Sequence, residues 1–347
     1  MTSDAAGRDR SGEDQTLAEP KADAARIASR EAKARGRQAD RPSQITWRGW
    51  LDVIWRVAHQ IVHDRVMLVA AGATYYFLLA LFPGLAAFVA LYGLIANPEV
   101  IADQIGTLEG IVPTAAIDLI HTQLNDLVGQ TRNTLNFAFY GGLGVSLWSV
   151  NNAIKALFEA MNIAYNEREK RSFIKLNLLS LTFTFGAIFT GFLLIFAIGV
   201  IPTVLAFVDL GDMTGRFIAL VRWPVLLAVI GLGFTLVYRF GPSREKAKWR
   251  WLTWGGGLAT PLWVSASFAF SYYIENFADY NATYGTLGAV IGLMVWIWIS
   301  VVILIVGAEL NAELEHQTAR DSTTGAPLPM GERGAMVADT LGKARKS

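Results

Sequence analysis

Asn151, Asn152, Lys155, Glu159 and Asn162 interrupt a stretch that otherwise reads as membrane helix, and their types are the ones that do chemistry. On a helix, Asn151, Lys155, Glu159 and Asn162 fall at i, i+4, i+8 and i+11, so they stack as one polar stripe. Ala153, Ile154, Leu157 and Phe158 cover the other faces. The apolar run begins near Leu135, and a crossing takes roughly 20 residues. Asn151 and Asn152 are therefore expected inside the hydrocarbon and Lys155 near its far edge. Polar groups at that depth are costly unless they face protein or water. There the ammonium suits a phosphate, the amides suit hydrogen bonding, and Glu159 suits orienting Lys155 or carrying a proton. The same residues also suit fastening, with Lys155 and Glu159 as a helix pair, Lys155 snorkelling, and the asparagines bonding neighbouring helices.

Two further groups share that expected depth. Thr74, Tyr75 and Tyr76 lie early in the first long apolar run, and Glu309 with Asn311 close the last. If their helices are neighbours, the three groups line a polar cavity. Pro83 predicts a kink or break in the first run, because proline removes one backbone hydrogen bond and clashes one turn back. Gly288 and Gly292 form a GxxxG, with Gly285 and Ala289 as a second small pair, which predicts close helix packing within the chain or with a second copy. His59 and His63 are spaced i, i+4, but no third or fourth ligand completes a metal site, so no metal or cofactor is expected.

The elements that must position these residues follow from composition. The chain has 347 residues, 53% hydrophobic and 17% charged, below the roughly 25% charge of soluble domains. It is expected to be an all-α polytopic membrane protein of about six spans. The apolar runs cover 66–96, 136–156, 174–200, 217–238, a fifth reaching about 273, and 284–308. Residues 45–63 alternate Trp47, Trp50, Leu51, Ile54 and Trp55 with Arg48, Asp52, Arg56 and Gln60, predicting an amphipathic helix lying at the interface. Residues 97–136 are polar and acidic, with short helices expected on either side of Pro113. Residues 1–43 and 316–347 are expected to be disordered tails, the membrane domain occupying 44–315. With no cysteine, thiolate chemistry and disulfides are excluded.

Lys and Arg concentrate in the amino tail, in 168–175, in 239–250 and at the carboxyl end, whereas the alternate loops are acidic or nearly uncharged. That alternation predicts both termini in the cytoplasm.

Several motifs in order resemble one family. They are the run from Ala71 through Thr74, Tyr75, Tyr76, Phe82 and Pro83; Trp148 with Ser149; Asn162 to Tyr165; and Tyr284, Gly285, Thr286, Leu287, Gly288 and Ala289 leading to Gly307, Ala308, Glu309, Leu310 and Asn311. Over about 50–315 the chain resembles the YihY or virulence factor BrkB family of bacterial inner-membrane proteins. Thr74 before Tyr75 departs slightly from the family's usual Ala-Tyr. The resemblance implies about six spans and a bacterial cytoplasmic membrane. Members carry labels as serum-resistance factors, as lipid or solute transporters and, under the older name ribonuclease BN, as a transfer-RNA-processing nuclease.

The residues discriminate among these labels. A hydrolytic nuclease needs clustered carboxylates or histidines, or an acid and base pair near a phosphate. Glu159, Glu275 and Glu309 are scattered over different runs, and no phosphate loop is present. The expectation is a non-enzymatic protein with membrane lipids as partners and no nucleic acid, moving a lipid or other amphiphile. The competing reading is a membrane scaffold, and a homo-oligomer is open under either.

Overall fold

The computed structural model describes residues 29–93, 137–195, 211–276 and 288–345. The expectations for 1–28, for the loop 97–136 and for Gly285 lie outside the described residues. Among the described residues the chain is all-α, its one β-type pairing an isolated antiparallel bridge between Ala247 and Thr323. A 3-10 turn, Pro42–Gln44, leads into α1 (Trp47–His63), α2 (Val66–Gly93), α3 (Phe137–Ala164), α4 (Phe173–Ile195), α5 (Gly211–Phe240), α6 (Trp249–Asn276), α7 (Gly288–His316) and a short α8 (Met336–Asp339).

The helices are long because their apolar runs are long, and each closes on identifiable chemistry. Thr46 caps α1 by accepting from the Gly49 amide at 3.3 Å. Asn166, with φ +54°, ends α3 in the left-handed region, and the Glu167 amide returns to the Asn162 carbonyl at 2.8 Å. That is a Schellman closure with asparagine in the usual glycine place. Arg65, with φ +50°, separates α1 from α2, and the two helices meet at a 60° bend.

Three helices are long and apolar enough to cross a membrane, within Phe173–Leu193, Trp223–Phe240 and Val290–His316, and a fourth crossing results if the bent pair of α1 and α2 counts as one. Six spans, the expectation from sequence, exceed that number. The described parts of α3 and α6, 28 residues each, carry enough Asn, Lys, Glu, Arg and Ser to stand below the same criterion.

α7 is the hub, packing against α1, α2, α3, α6 and α8, while α2 lies along α3 and α5 along α6. Its apolar window is 39% buried against 11% for α4, which places α4 at the perimeter. Val66, Ala70 and Ala73 of α2, Leu157, Ala160 and Met161 of α3, and Val301, Leu304, Ile305 and Ala308 of α7 form the core between them. Alanines on both sides let these helices approach closely, which in lipid replaces the hydrophobic drive between helices.

Three expectations change. Pro83 does not break α2, which stays helical from Val66 to Gly93; the recorded bend lies at Arg65 instead. Membrane helices tolerate proline because neighbours re-satisfy the freed carbonyl. α1 is amphipathic as expected, but Asp52 and Arg56 of its polar side are enclosed by the chain beside Val53, while Arg48 and His63 stay exposed together with Trp47, Ile54, Trp55 and Val62. Residues 29–43 and 317–345, described parts of the segments 1–43 and 316–347 read from composition as disordered tails, are folded against the helix ends. Gln317, Thr318, Ser322, Arg333, Val337 and Ala338 are buried there. Composition misleads here because polar hydrogen bonds, rather than apolar area, hold the segments.

Candidate functional site

The segments before α2 and between α3 and α4, between α5 and α6, and after α7 meet at one end of the helices. Hydrogen bonds join them: Lys170 amide to Ser243 Oγ at 2.9 Å, Lys248 amide to the Ser322 carbonyl at 2.8 Å, Ala319 amide to the Arg37 carbonyl at 2.7 Å, and Met336 amide to Glu167 Oε1 at 2.7 Å. Enclosed within this polar end are ion pairs. Arg244 donates to both Glu315 oxygens, at 3.2 and 2.7 Å, and Ser322 Oγ donates to Glu315 at 2.6 Å. Burial alone would lower the Arg244 basicity, but the Glu315 carboxylate outweighs it and holds the guanidinium more firmly charged. Arg56 pairs with Glu313 and donates to Gln317 Oε1 at 2.9 Å and the Lys343 carbonyl at 3.1 Å. These partners offset the desolvation that makes an unpaired buried charge costly.

Several of the sequence candidates fasten this end. Asn162 Oδ1 accepts from the Ser243 amide at 2.7 Å, and its Nδ2 donates to Glu169 at 3.2 Å and Glu159 at 3.4 Å. Asn311 ties α7 to α6, accepting from the Gly255 amide at 2.7 Å and donating to the Leu252 carbonyl at 3.1 Å. Gly255 must be glycine for that clasp, because a Cβ there would overlap the Gly307 carbonyl and the Asn311 amide. Thr74 is buried and returns its hydroxyl to the Ala70 carbonyl at 2.7 Å, so its polar group is spent within α2. Gly288 and Gly292 are buried on α7, in keeping with close packing.

The remaining stripe on α3 has a different setting. Asn151 is fully buried and donates through Nδ2 to Asn177 Oδ1 of α4 at 3.2 Å, while its own Oδ1 has no partner. One turn on, the Lys155 ammonium lies 4.8 Å from the Trp148 ring centroid and 5.9 Å from that of Phe173, and no carboxylate among the described residues pairs with it. Asn152 is half-buried beside them and Glu159 is exposed. Trp148 and Phe173 are 53% and 71% exposed, so the groove between α3 and α4 opens outward rather than into the core. Tyr75 and Tyr76 are also exposed, on α2, their rings edge to face at 5.6 Å.

The structure therefore divides the sequence candidates. It does not gather Thr74 to Tyr76, the α3 stripe, Glu309 and Asn311 around one space: the stripe faces α4, Asn311 faces α6, and Tyr75 and Tyr76 face outward. Sequence reasoning missed Asn177, Trp148 and Phe173 as partners of the stripe, and Arg56, Arg244, Glu313 and Glu315 as the ionic seal. Glu313 and Glu315 carried a signal, two acidic residues directly after an apolar run and on the helix that already held Glu309. Asn177 carried almost none, since its pairing with Asn151 depends on how α3 and α4 dock.

Fold and site together define an all-α membrane protein with apolar helices, a hydrogen-bonded polar end and a lysine on α3 set against two exposed aromatic rings. The chain belongs to the virulence factor BrkB family, whose model matches residues 57–329. It is similar to the ribonuclease-like protein YfkH of Bacillus subtilis (strain 168), 33% identical over 253 residues, which cover 72% of this chain and 90% of that protein. It is also similar to a UPF0761 membrane protein of Vibrio cholerae serotype O1, 29% identical over 281 residues, covering 78% of this chain and 91% of the relative. A UPF0761 membrane protein of Chromohalobacter salexigens is 26% identical over 298 residues, covering 83% and 70%. No solved structure matches.

Proposed function

We propose that the protein holds the anionic head group of a membrane lipid, or of a similar amphiphile, in the groove between α3 and α4, and lets it pass between leaflets without nucleotide hydrolysis. The observation that carries this reading is Lys155: an ammonium backed by two exposed rings, one turn from buried Asn151 and its partner Asn177, with no carboxylate among the described residues neutralising it. An unneutralised cation at a membrane-facing groove attracts phosphate. Aromatic rings suit the interface, where one edge is wet and the other apolar. The half-buried Asn152 supplies a hydrogen-bond donor beside Lys155, while buried Asn151 ties the site to α4 through Asn177. Glu159 is exposed and makes its hydrogen bond to Asn162, so it leaves Lys155 free for the ligand.

In the same proposal the six long helices α2 to α7 are spans in a bacterial cytoplasmic membrane, and the polar end with both termini is cytoplasmic. The support is that the segments rich in Lys and Arg come together at that one end. In this reading the role is non-enzymatic, and Glu159, Glu275 and Glu309 stand on three different helices.

A scaffold reading has one specific observation in its favour, the complete use of Asn162, Asn311 and Thr74 in fastening. The two readings separate in liposomes. Purified protein should exchange fluorescent anionic phospholipid between leaflets, and Lys155→Ala and Asn151→Ala at equal yield should fall toward the protein-free rate. No exchange by the unaltered protein, or equal exchange by all three, defeats the lipid path; variants that lose abundance instead favour the scaffold.

A further inference from the structure

Glu309 is the charge on α7 that the fastening network leaves out. It is 1% exposed and both of its side-chain oxygens lack a hydrogen-bond partner. One turn on, Glu313 holds Arg56, and Glu315 holds Arg244. The polar group facing Glu309 is Asp64, at the junction of α1 and α2, whose carboxyl lies within hydrogen-bonding reach. Asp64 Oδ2 is likewise buried without a partner, while its Oδ1 lies 2.8 Å from His63 Nδ1. His63 is 66% exposed. The arrangement therefore runs from solvent through an imidazole and one carboxyl group to a second, enclosed carboxyl group.

Among the described residues, apart from the exposed His63 imidazole, no cation is placed to neutralise the pair. Arg56 of α1 is engaged with Glu313, Gln317 and the Lys343 carbonyl. His316 of α7 lies 3.6 Å from Glu313 and 3.0 Å from the Thr340 hydroxyl. Arg65, beside Asp64, is exposed. α2 presents Val66, Ala70 and Ala73 to the core, α3 and α5 present the phenols of Tyr165 and Tyr238, and Asn311 is committed to the α6 backbone. Two facing carboxyl groups in a dry site without a cation do not both stay ionised; they share a proton. A divalent metal fits poorly, since calcium and magnesium take six or more oxygen ligands and two carboxylates supply too few.

We infer that Asp64 and Glu309 form a proton-binding site in which one carboxylic acid donates to the other carboxylate, loaded from solvent through His63. Loading moves only a proton: His63 accepts one at Nε2 and releases its Nδ1 proton to Asp64, which passes a proton on to Glu309. Because Asp64 closes α1 at the 60° bend, unloading leaves two negative charges facing each other across the contact between that bend and α7. The site thereby links proton occupancy to the seating of the interfacial helix. The inference does not rest on lipid movement and stands if the groove proves inert.

The test is infrared spectroscopy of the full chain in lipid nanodiscs. A protonated carboxyl stretch is expected at neutral pH; it should disappear in Glu309→Gln and shift in frequency in Asp64→Asn, both near-isosteric and both able to keep a hydrogen bond across the pair. Absence of that band in the unaltered protein, which requires no variant to fold, overturns the site, as does its unshifted persistence in both variants. Loss of the band on adding sodium at constant pH would reassign the pair to a metal cation and overturn proton binding. His63→Ala should leave the band in place and slow its shift on transfer to heavy water several-fold; an unchanged rate overturns the loading route.

Discussion

Two polar stripes run along apolar helices in this protein, and they end differently. On α7, Asn311, Glu313 and Glu315 are buried and each is held by partners on other segments. On α3, the stripe passes from buried Asn151 through Lys155, stacked on two rings, to exposed Glu159. In sequence the α3 residues read as polar groups where lipid is expected and Glu309 with Asn311 as the close of the last apolar run, whereas Glu313 and Glu315 lie beyond it. The difference lies in what docks against each helix: α7 is the hub, enclosed by helices and by both terminal segments, whereas α3 turns its stripe toward the perimeter helix α4. On α7, Asn311, Glu313 and Glu315 become fasteners, while Lys155 on α3 keeps an exposed aromatic setting.

The comparison can be broken from its strongest side. Arg244→Ala leaves Glu315 charged in a site where both side chains are at most 2% exposed, and should destabilise the fold by about 3–5 kcal/mol. Thermal unfolding in nanodiscs measures this, and a loss under about 1 kcal/mol would show that the α7 stripe is not a fastener. Replacing Arg244 with Met and Glu315 with Leu together should cost less than Arg244→Ala alone.

A smaller effect is expected along α6. Gly255→Ala should cost about 1–3 kcal/mol by overpacking the clasp, whereas Gly257→Ala, with nothing within 4 Å of its Cβ position, should be neutral or slightly stabilising. Equal melting temperatures for the two would remove the clasp from the account.

Acid sharpens the comparison at the loop following α3. Burial works against ionised Glu169, but the hydrogen bonds from Arg171 and Asn162 and the Arg171 charge outweigh it, and its carboxyl titrates at about 2. A depressed folded value means the contribution is complete above the ordinary carboxylate range and is lost as pH falls toward 2. Glu169→Gln should therefore flatten the fall in stability between about pH 4.5 and 2; an unaltered pH profile counts against the Arg171 clasp.

Least stability is at stake on α3. Lys155→Ala removes a cation–π contact worth about 0.5–1 kcal/mol, yet it should produce the largest loss of lipid exchange. A melting loss as large as that of Arg244→Ala would make Lys155 a fastener too.

The sequence reveals the long helices through their apolar runs and the α3 stripe through its spacing, because both are properties of one segment. It also flags Glu309 and Asn311 as anomalous but not their opposite fates, since the Gly255 amide and Asp64 lie 56 and more than 200 residues away in the chain. The folded terminal segments are hidden for a related reason. Arg35 grips Asp52 at 2.7 and 2.8 Å, Thr318 donates to the Ala39 carbonyl at 2.6 Å, and Arg333 donates to backbone carbonyls at 2.7 to 3.1 Å. Such bonds leave no hydrophobic periodicity to read. Pro83 marks a place where a break could fall, yet the helix runs on through it from Val66 to Gly93.

The polar face of α1 also sets an order of events during synthesis. Asp52 and Arg56 leave the ribosome early, but Glu313, Gln317, the Lys343 carbonyl and the Arg345 amide that meet them come at the end of the chain. Until then α1 can lie on a membrane by its Trp47, Ile54, Trp55 and Val62 side, with its charges facing water. Translation of residues 313–345 thus converts a surface-bound helix into a sealed one, and a ribosome halted before residue 313 leaves a chain whose apolar helices can insert while Asp52 and Arg56 wait for partners not yet made.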